Sequence, residues 1–559
     1  MLKNVLRMMA ILVMCVCVAT LCSCANGRYS TSSDPHVYLQ YELLEDDTYQ
    51  VTGFSGRPVK DLVIPATYND QPVSGIKDDA FKMKKGFWGR DLRLPILSLV
   101  IEEGVRNIGN EAFYESGLES VTMADSIEYI GDSAFAYNQT TIRLPEHIVH
   151  IGYQAFLSTL LSGELVLGDI DLGASAFRNT SVSTVIFTLG VENIPDFLFS
   201  DCASLTHVSF PDSLKEIGVS AFQDCLLLEE IDFPDTLERI KSSAFKNTGM
   251  IELTLKDRWN ISDSAFSHND SLTKVTFDGS SIVLEDGVFQ DCAHLETIDF
   301  GTLTFIHAKA FIGCPLNDMR VAEDSPYEIV DGALALRYDD GLELILGPDH
   351  YDDFASFLIV GRYAFAGRDF ASLNVTENVG AIKPYAFYAS HIDEAYIQAE
   401  VIESYAFNYA EIALLTIASH EIGAMSFYDA RRFEEVHIEE GCQKIGTKAF
   451  ANCFEVEKVY LPASLEWIEQ AAFIQCHRLK EVYYGLTEGT PVRLYAGNFI
   501  IYQSNITTDD HRINVKIHDD MKVYVHEEVY QACLGLWGDV PLDETYIYSD
   551  SLVDFVRIR

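Results

Sequence analysis

The chain has 559 residues, 48% of them hydrophobic, which is enough for a sizeable core. It carries 40 Lys and Arg against 84 Asp and Glu, a formal net charge of −44. That balance excludes nucleic acid as a ligand, since phosphate binding needs a basic footprint, and the plainest role of the excess carboxylates is a solubilising surface.

Residues 1–23 read as a lipoprotein signal peptide. Lys3 and Arg7 open it, Met8 to Thr20 is an apolar run, and Leu21-Cys22-Ser23-Cys24 matches the bacterial lipobox. The pattern predicts cleavage before Cys24 and lipidation of Cys24. A plain secretory signal is the alternative. The apolar run is shorter than the roughly 20 residues a bilayer span needs. Residues 24–36 are polar and Ser-rich, as a tether would be. The expected location is therefore a lipid anchor in the bacterial cell envelope, at the outer membrane or cell surface, with the lipid as the sole membrane contact.

Residues 37–79 lead into a periodic region. Phe recurs at 81, 113, 135, 156, 177, 199, 222, 245, 266, 289, 311, 365, 387, 407, 427, 450 and 473, fourteen times as Ala-Phe. Most gaps are 20 to 23 residues; two are 32 and 54. A period of this size implies a solenoid, because one short repeat cannot bury its own apolar face. Each copy reads Ala-Phe, a small residue three positions on, L-x-x-[IV]-x-[FLI]-P, then [ST]-[LIV]-x-x-I. The alternation in L-x-x-V-x-F predicts a strand, and Pro ends its pairing. The S-L-x-x-I piece should run along the opposite side. The x-x-A-F piece should make a tight helical or 3₁₀ turn.

The first repeat block spans 80–315. Its 32-residue gap inserts a basic and aromatic cluster, Lys82, Lys84, Lys85, Phe87, Trp88, Arg90 and Arg93. We expect a protruding loop there that contacts an acidic or glycan partner, the alternative being packing back on the first coil. Six Cys share the slot three after Phe: Cys202, Cys225, Cys292, Cys314, Cys453 and Cys476. They fall in consecutive repeats as 202/225, 292/314 and 453/476, and adjacent coils can bring Cα atoms within the roughly 4.4–6.8 Å of a disulfide. Three disulfides, or free thiols acting as small apolar fillers, both fit. The mature chain has no C-x-x-C and no metal motif. The period breaks over 316–356, resumes in a second block over 357–486, and is lost in 487–559, which reads as a cap on the last coil.

The template resembles the leucine-rich repeat of the BspA-like, or Treponema pallidum-type, family. Strings such as SLKEIGVSAFQDCLLLEEIDFPDTLERIKSSAF (213–245) and CQKIGTKAFANCFEVEKVYLPASLEWIEQAAF (442–473) carry the resemblance, which covers roughly residues 38–485. It implies a right-handed arc, mainly β with short helical or 3₁₀ turns, and a parallel sheet on its concave face. It also implies that 41–81 is the family's first coil, that Tyr327 to Pro348 is the β-hairpin found in many members, and that Met521 to Val525 begins a closing strand and short helix.

Outward positions of the strands are the best generic binding surface. They include Glu229, Glu230 and Asp232 in the middle, and Glu434, Glu435, His437, Tyr460 and Tyr483 towards the C-terminal end. No H-E-x-x-H, G-x-S-x-G, phosphate loop or EF-hand loop occurs. The expected protein is a monomeric, cofactor-free, non-catalytic recognition protein. The resemblance implies an adhesin for extracellular or envelope proteins or glycans. The alternative is a lipid-anchored binding subunit for nutrient glycans or peptides.

Overall fold

The computed structural model describes residues 29–30, 32–83, 95–469 and 471–484, with two further strands at Lys522–His526 and Asp554–Ile558. The chain divides into two compact units, Met1–Leu237 and Glu238–Arg559. Both are stacks of β-coils, and the repeat template maps onto each coil in three parts.

The L-x-x-V-x-F piece forms a wide parallel sheet. In the first unit Asp61–Ile64, Ser98–Ile101 and Ser120–Thr122 pair in parallel, as do Ser162–Leu167, Ser181–Phe187 and His207–Ser209. Val185 and Phe187 point inward, as period-two alternation requires. The S-L-x-x-I piece forms a narrow ladder of two-residue parallel strands on the other side, with Ile108, Ile130, Ile151 and Leu172 in register. Before the first repeat, Leu39–Leu43 and Tyr49–Phe54 form an antiparallel hairpin that feeds this ladder.

The third part, around Ala-Phe, differs from expectation. Among the described residues it is 3₁₀-helical only at Ala308–Phe311; elsewhere it is a turn. The residues two before and two after Phe sit in the left-handed region, as at Ser133 (φ 52°) and Tyr137 (φ 62°) around Phe135. A left-handed residue stops helix propagation. It also alternates the direction of the peptide groups. Glu111 N, Phe113 N and Glu115 N donate to the next coil at Asp132 O (2.7 Å), Ala134 O (2.8 Å) and Ala136 O (3.0 Å). Ala112 N and Tyr114 N stay local, on Gly109 O and Glu111 O. A helical turn would direct every N–H along its own axis and leave coil edges unpaired.

Phe is the stacked core of each unit. Rings of Phe113, Phe135, Phe156 and Phe177 succeed one another at 5.3–5.6 Å and within 10° of parallel. In the second unit Phe387, Phe407, Phe427, Phe450 and Phe473 repeat this at 4.7–5.0 Å. Each fully buried Phe contributes roughly 1.5–3 kcal/mol, with about 0.5–1.5 kcal/mol more per aromatic pair. Phe81 and Phe113 also stack, at 5.3 Å, so the 32-residue gap leaves the core uninterrupted.

The slot three after Phe proves to be a carbonyl-satisfying position. Sγ of Cys202, Cys225, Cys292, Cys453 and Cys476 each donates at 3.2 Å to the Phe carbonyl one coil earlier, and Cys314 does so at 2.9 Å. Thr159, Thr180, Thr248 and Ser390 use the slot to bond their own coil's Phe carbonyl. Asn138 reaches both carbonyls. The six cysteines are thus brought together in pairs on adjacent coils, as buried free thiols rather than as bonds. Burial pushes the Cys202 thiol up to about 11, which keeps it a donor.

Two further features depart from the template. Residues 228–234 form no strand, and Glu229, Glu230 and Asp232 are exposed there. Three carboxylates in four residues oppose cross-strand pairing. The interruption after Phe311 is larger than a hairpin. Asp318–Arg320 still belongs to the wide sheet, and an antiparallel meander of Tyr327–Val330, Ala333–Tyr338 and Gly341–Leu346 follows. Its first turn is Asp331-Gly332, both left-handed, the geometry of a tight two-residue hairpin. Gly341–Leu346 then joins the narrow ladder beside Ile359–Val360.

Arg368 re-knits the repeat across this insertion. It occupies the slot three after Phe365, is 1% exposed, and donates to Phe311 O (3.1 Å) and Gly347 O (3.2 Å). The insertion sets Gly347 against the Phe365 ring, and Arg368 reaches both the Gly347 carbonyl and that of Phe311. Asp349 lies 3.9 Å away, with its carboxyl raised above the usual range, chiefly by burial. Two carbonyl dipoles at hydrogen-bond distance, with a longer ion pair to Asp349, hold the guanidinium. Beyond the second block, Lys522–His526 extends the wide sheet in parallel beside Glu481–Tyr484, and Asp554–Ile558 follows it. The closing helix expected after residue 526 lies outside the described residues.

Candidate functional site

The last wide strands of the second unit carry the most developed surface. His391–Ile397, Glu411–Ile417, Glu435–Ile438, Lys458–Leu461 and Glu481–Tyr484 pair in parallel. Val436, Val459 and Val482 fill the interior, so the residues between them must face out. In-register pairing then aligns outward side chains into columns.

One column runs Tyr396, Thr416, His437, Tyr460, Tyr483. Its last three rings stack, His437 on Tyr460 at 4.2 Å and Tyr460 on Tyr483 at 4.6 Å, within 9° of parallel. Beside it stand Glu435, Lys458 and Glu481. Lys458 Nζ donates to Glu435 Oε1 at 2.8 Å, and His437 Nε2 is 3.2 Å from Glu435 Oε2. Lys458 holds the Glu435 carboxyl below its usual range, and Glu435 in return raises Lys458. Burial, then the Glu435 charge, raises the Tyr460 phenol. Leu414 is 64% exposed in the same charge column. At the far edge Arg432 crosses two coils to His391 (2.6 Å to Nε2) and Asp393 (3.4 Å). The array offers rigid aromatic surface with fixed donors and acceptors, the composition enriched at binding hot spots.

Of the residues expected to bind, the structure brings together Glu435, His437, Tyr460 and Tyr483. Glu434 is exposed but precedes its strand, where its carbonyl accepts from Glu457 N and Lys458 N. Glu229, Glu230 and Asp232 belong to the first unit. Tyr396, Leu414 and Arg432 went unrecognised, although Tyr396 and Leu414 obey the same alternation. Lys82 is engaged within the protein, paired with Glu111 and with Asp79 (3.3 Å) and placed 5.2 Å over the Tyr114 ring. It is therefore not a free cation for a partner. Lys84, Lys85, Phe87, Trp88, Arg90, Arg93 and Cys24 lie outside the described residues. Among the described residues no group of three or more His, Cys, Asp or Glu could hold a metal ion, and no helix is long and apolar enough to cross a membrane.

The family model of the BspA-type leucine-rich repeat region matches residues 93–206, 192–317, 354–420 and 400–508, in six copies. Similar solved structures include a leucine-rich repeat protein from Bacteroides ovatus, at 19% identity over 95% of this chain and 100% of that one, TM-score 0.36. The leucine-rich repeat protein of T. pallidum is 25% identical over 36% of this chain and 92% of its own, TM-score 0.29. A leucine-rich cell surface protein from Faecalibacterium prausnitzii is 19% identical over 83% of this chain and 97% of that one, TM-score 0.26. No curated protein matches the chain. The repeat template, the coil built from it and a family model matching most of the chain agree: this chain belongs to the BspA-type leucine-rich repeat family.

Proposed function

We propose that this protein is a non-catalytic recognition protein of the bacterial cell surface, held by lipid on Cys24, and an adhesin for extracellular or envelope proteins or glycans. The stacked column His437–Tyr460–Tyr483 carries the reading. Packing inside the coils does not require aromatic rings on an outward face, and a rigid exposed row contributes contact area at little conformational cost. The lipobox and the cell-surface description of the Faecalibacterium prausnitzii relative support the location.

The test immobilises a panel of matrix proteins and mucin and measures binding of the purified mature chain. Tyr460→Ala with Tyr483→Ala should weaken whichever interaction is found by about tenfold or more, the loss expected at a hot spot. Unchanged binding of that double variant refutes the assignment. Protease shaving of whole cells should release the protein; full protection would place it on the periplasmic side, as a nutrient-binding subunit could be.

A further inference from the structure

The interruption after Phe311 creates a cleft of about 470 Å³, lined by Asp286, His307, Lys309, Glu343, Arg362 and Tyr363. Its walls come from the coil before the insertion, the 3₁₀ turn at Ala308–Phe311, the last meander strand and the first turn of the second block. Lys309 Nζ donates to Asp286 Oδ2 at 2.5 Å and sits 5.7 Å over the Tyr363 ring. His307 Nδ1 is 3.7 Å from Asp286 Oδ1.

Tyr363 also begins a row that leads out of the cleft. Its ring stacks on Tyr385 at 5.2 Å and 4°, and Tyr385 stacks on Tyr405 at 5.3 Å and 11°. Tyr388 meets Tyr363 and Tyr385 edge-on, at 6.2 and 6.1 Å. Tyr363, Tyr385 and Tyr405 occupy the left-handed position two before Phe. Other coils place varied residues there, Ser at 133, 175, 220, 243 and 264 but also Gln154, Phe197 and Met425. A bulky aromatic residue is a poor intrinsic choice for that conformation, and the serines show that the turn does not need one. Three successive coils carry Tyr there, and the first of them, Tyr363, lines the cleft.

We propose that the cleft and the tyrosine row form a binding site for a neutral carbohydrate chain. The two carboxylates, Asp286 and Glu343, are balanced by Lys309 and Arg362, so these formal charges sum to zero in a chain of net −44. A charged ligand would meet a like charge there, and a neutral one does not. Carboxylates only accept hydrogen bonds and ammonium and guanidinium groups only donate, whereas hydroxyls and phenols do both. A polyol satisfies every group in the cleft, and an apolar ligand would leave them stranded. A peptide needs a free strand edge or apolar side-chain pockets. Gly341–Leu346, the strand nearest the cleft, is paired on both edges. The tyrosine row continues from the cleft along the coils, which suits an extended chain rather than an enclosed metabolite. This site lies on the narrow-ladder side and does not rest on the reading of the wide-sheet column.

Calorimetric titration of the mature chain tests it, with hexasaccharides of glucose and mannose in defined linkages, a galacturonic acid hexamer and a casein digest as probes. At least one neutral hexasaccharide should bind. Glu343→Gln and Arg362→Ala, both at solvent-facing positions, should each weaken it about tenfold, the loss of one charge-assisted hydrogen bond. Tyr385→Ala should weaken the hexamer more than the matching disaccharide. Tyr460→Ala should leave it unchanged, which separates this site from the wide-sheet face. The proposal is overturned if no neutral hexamer binds, if the galacturonate hexamer or the digest binds instead, or if Glu343→Gln and Arg362→Ala bind as well as the parent.

Discussion

Replacing Arg368 tests how the repeat survives its largest interruption. Arg368→Ala orphans one buried carbonyl, Gly347 O, now met at 3.2 Å, and takes from Phe311 O its 3.1 Å donor while leaving it Cys314 N at 3.2 Å. Each unsatisfied group costs about 1–3 kcal/mol. Relief of the guanidinium's own desolvation, several kcal/mol in a protein interior, offsets part of that. The expected net loss is about 1–3 kcal/mol. Arg368→Met keeps much of the volume and removes only the donors, so it should still lose about 2 kcal/mol. Asp349→Asn should cost less than loss of the carbonyl contacts, since the ion pair it removes is a long one, 3.9 Å. Urea unfolding gives the magnitudes, and hydrogen exchange gives the place, because coils lose stability locally. Protection should fall around Phe311 and Phe365. A Met variant as stable as the parent would refute the carbonyl-bridging role.

Further outcomes follow from the same coil geometry. Gly218→Ala should destabilise by about 2–3 kcal/mol in a thermal melt, since a Cβ there would lie 2.6 Å from Ile194 O and 2.7 Å from Asp196 N, both backbone atoms. Native protein at pH 8 should resist iodoacetamide at Cys202, Cys225, Cys292 and Cys453, whose thiols burial keeps protonated, and react fully in denaturant; a 202/225-linked peptide in the unreduced digest would show a disulfide instead. Stability should also carry an alkaline dependence. The Cys202 thiol, raised by burial from 9.0 to about 11, binds its proton more tightly folded than unfolded, so its contribution is complete below pH 9 and lost as pH rises towards 11. Cys202→Thr, which places the residue of coil 180 in the slot, should lessen that slope in urea titrations at pH 8 and pH 10, leaving the share of Cys225, Cys292 and Cys453.

The candidate surfaces were legible to different degrees. His437, Tyr460 and Tyr483 could be placed together because strand alternation and a near-constant period translate directly into columns. Lys82 looked like part of an exposed basic cluster because spacing says nothing about Glu111, which neutralises it. Arg368 gave no signal at all. It sits 57 residues from Phe311, and the repeat period gives no notice that Gly347 brings a second carbonyl to the slot.

By itself the sequence determined the solenoid, its Phe core, the two faces of each coil and the small slot after Phe. Those follow from periodic burial, which a one-dimensional pattern encodes. Tertiary structure alone decided the rest. Non-glycine residues take left-handed turns because the adjacent coil demands their N–H groups. Thiols serve as carbonyl donors because a neighbour one coil back presents the acceptor. A cleft opens at the head of the tyrosine row because the meander brings Glu343 into one lining with Tyr363. Each of these depends on which residues meet across the stack and across an irregular insertion, and a repeat period carries no record of that.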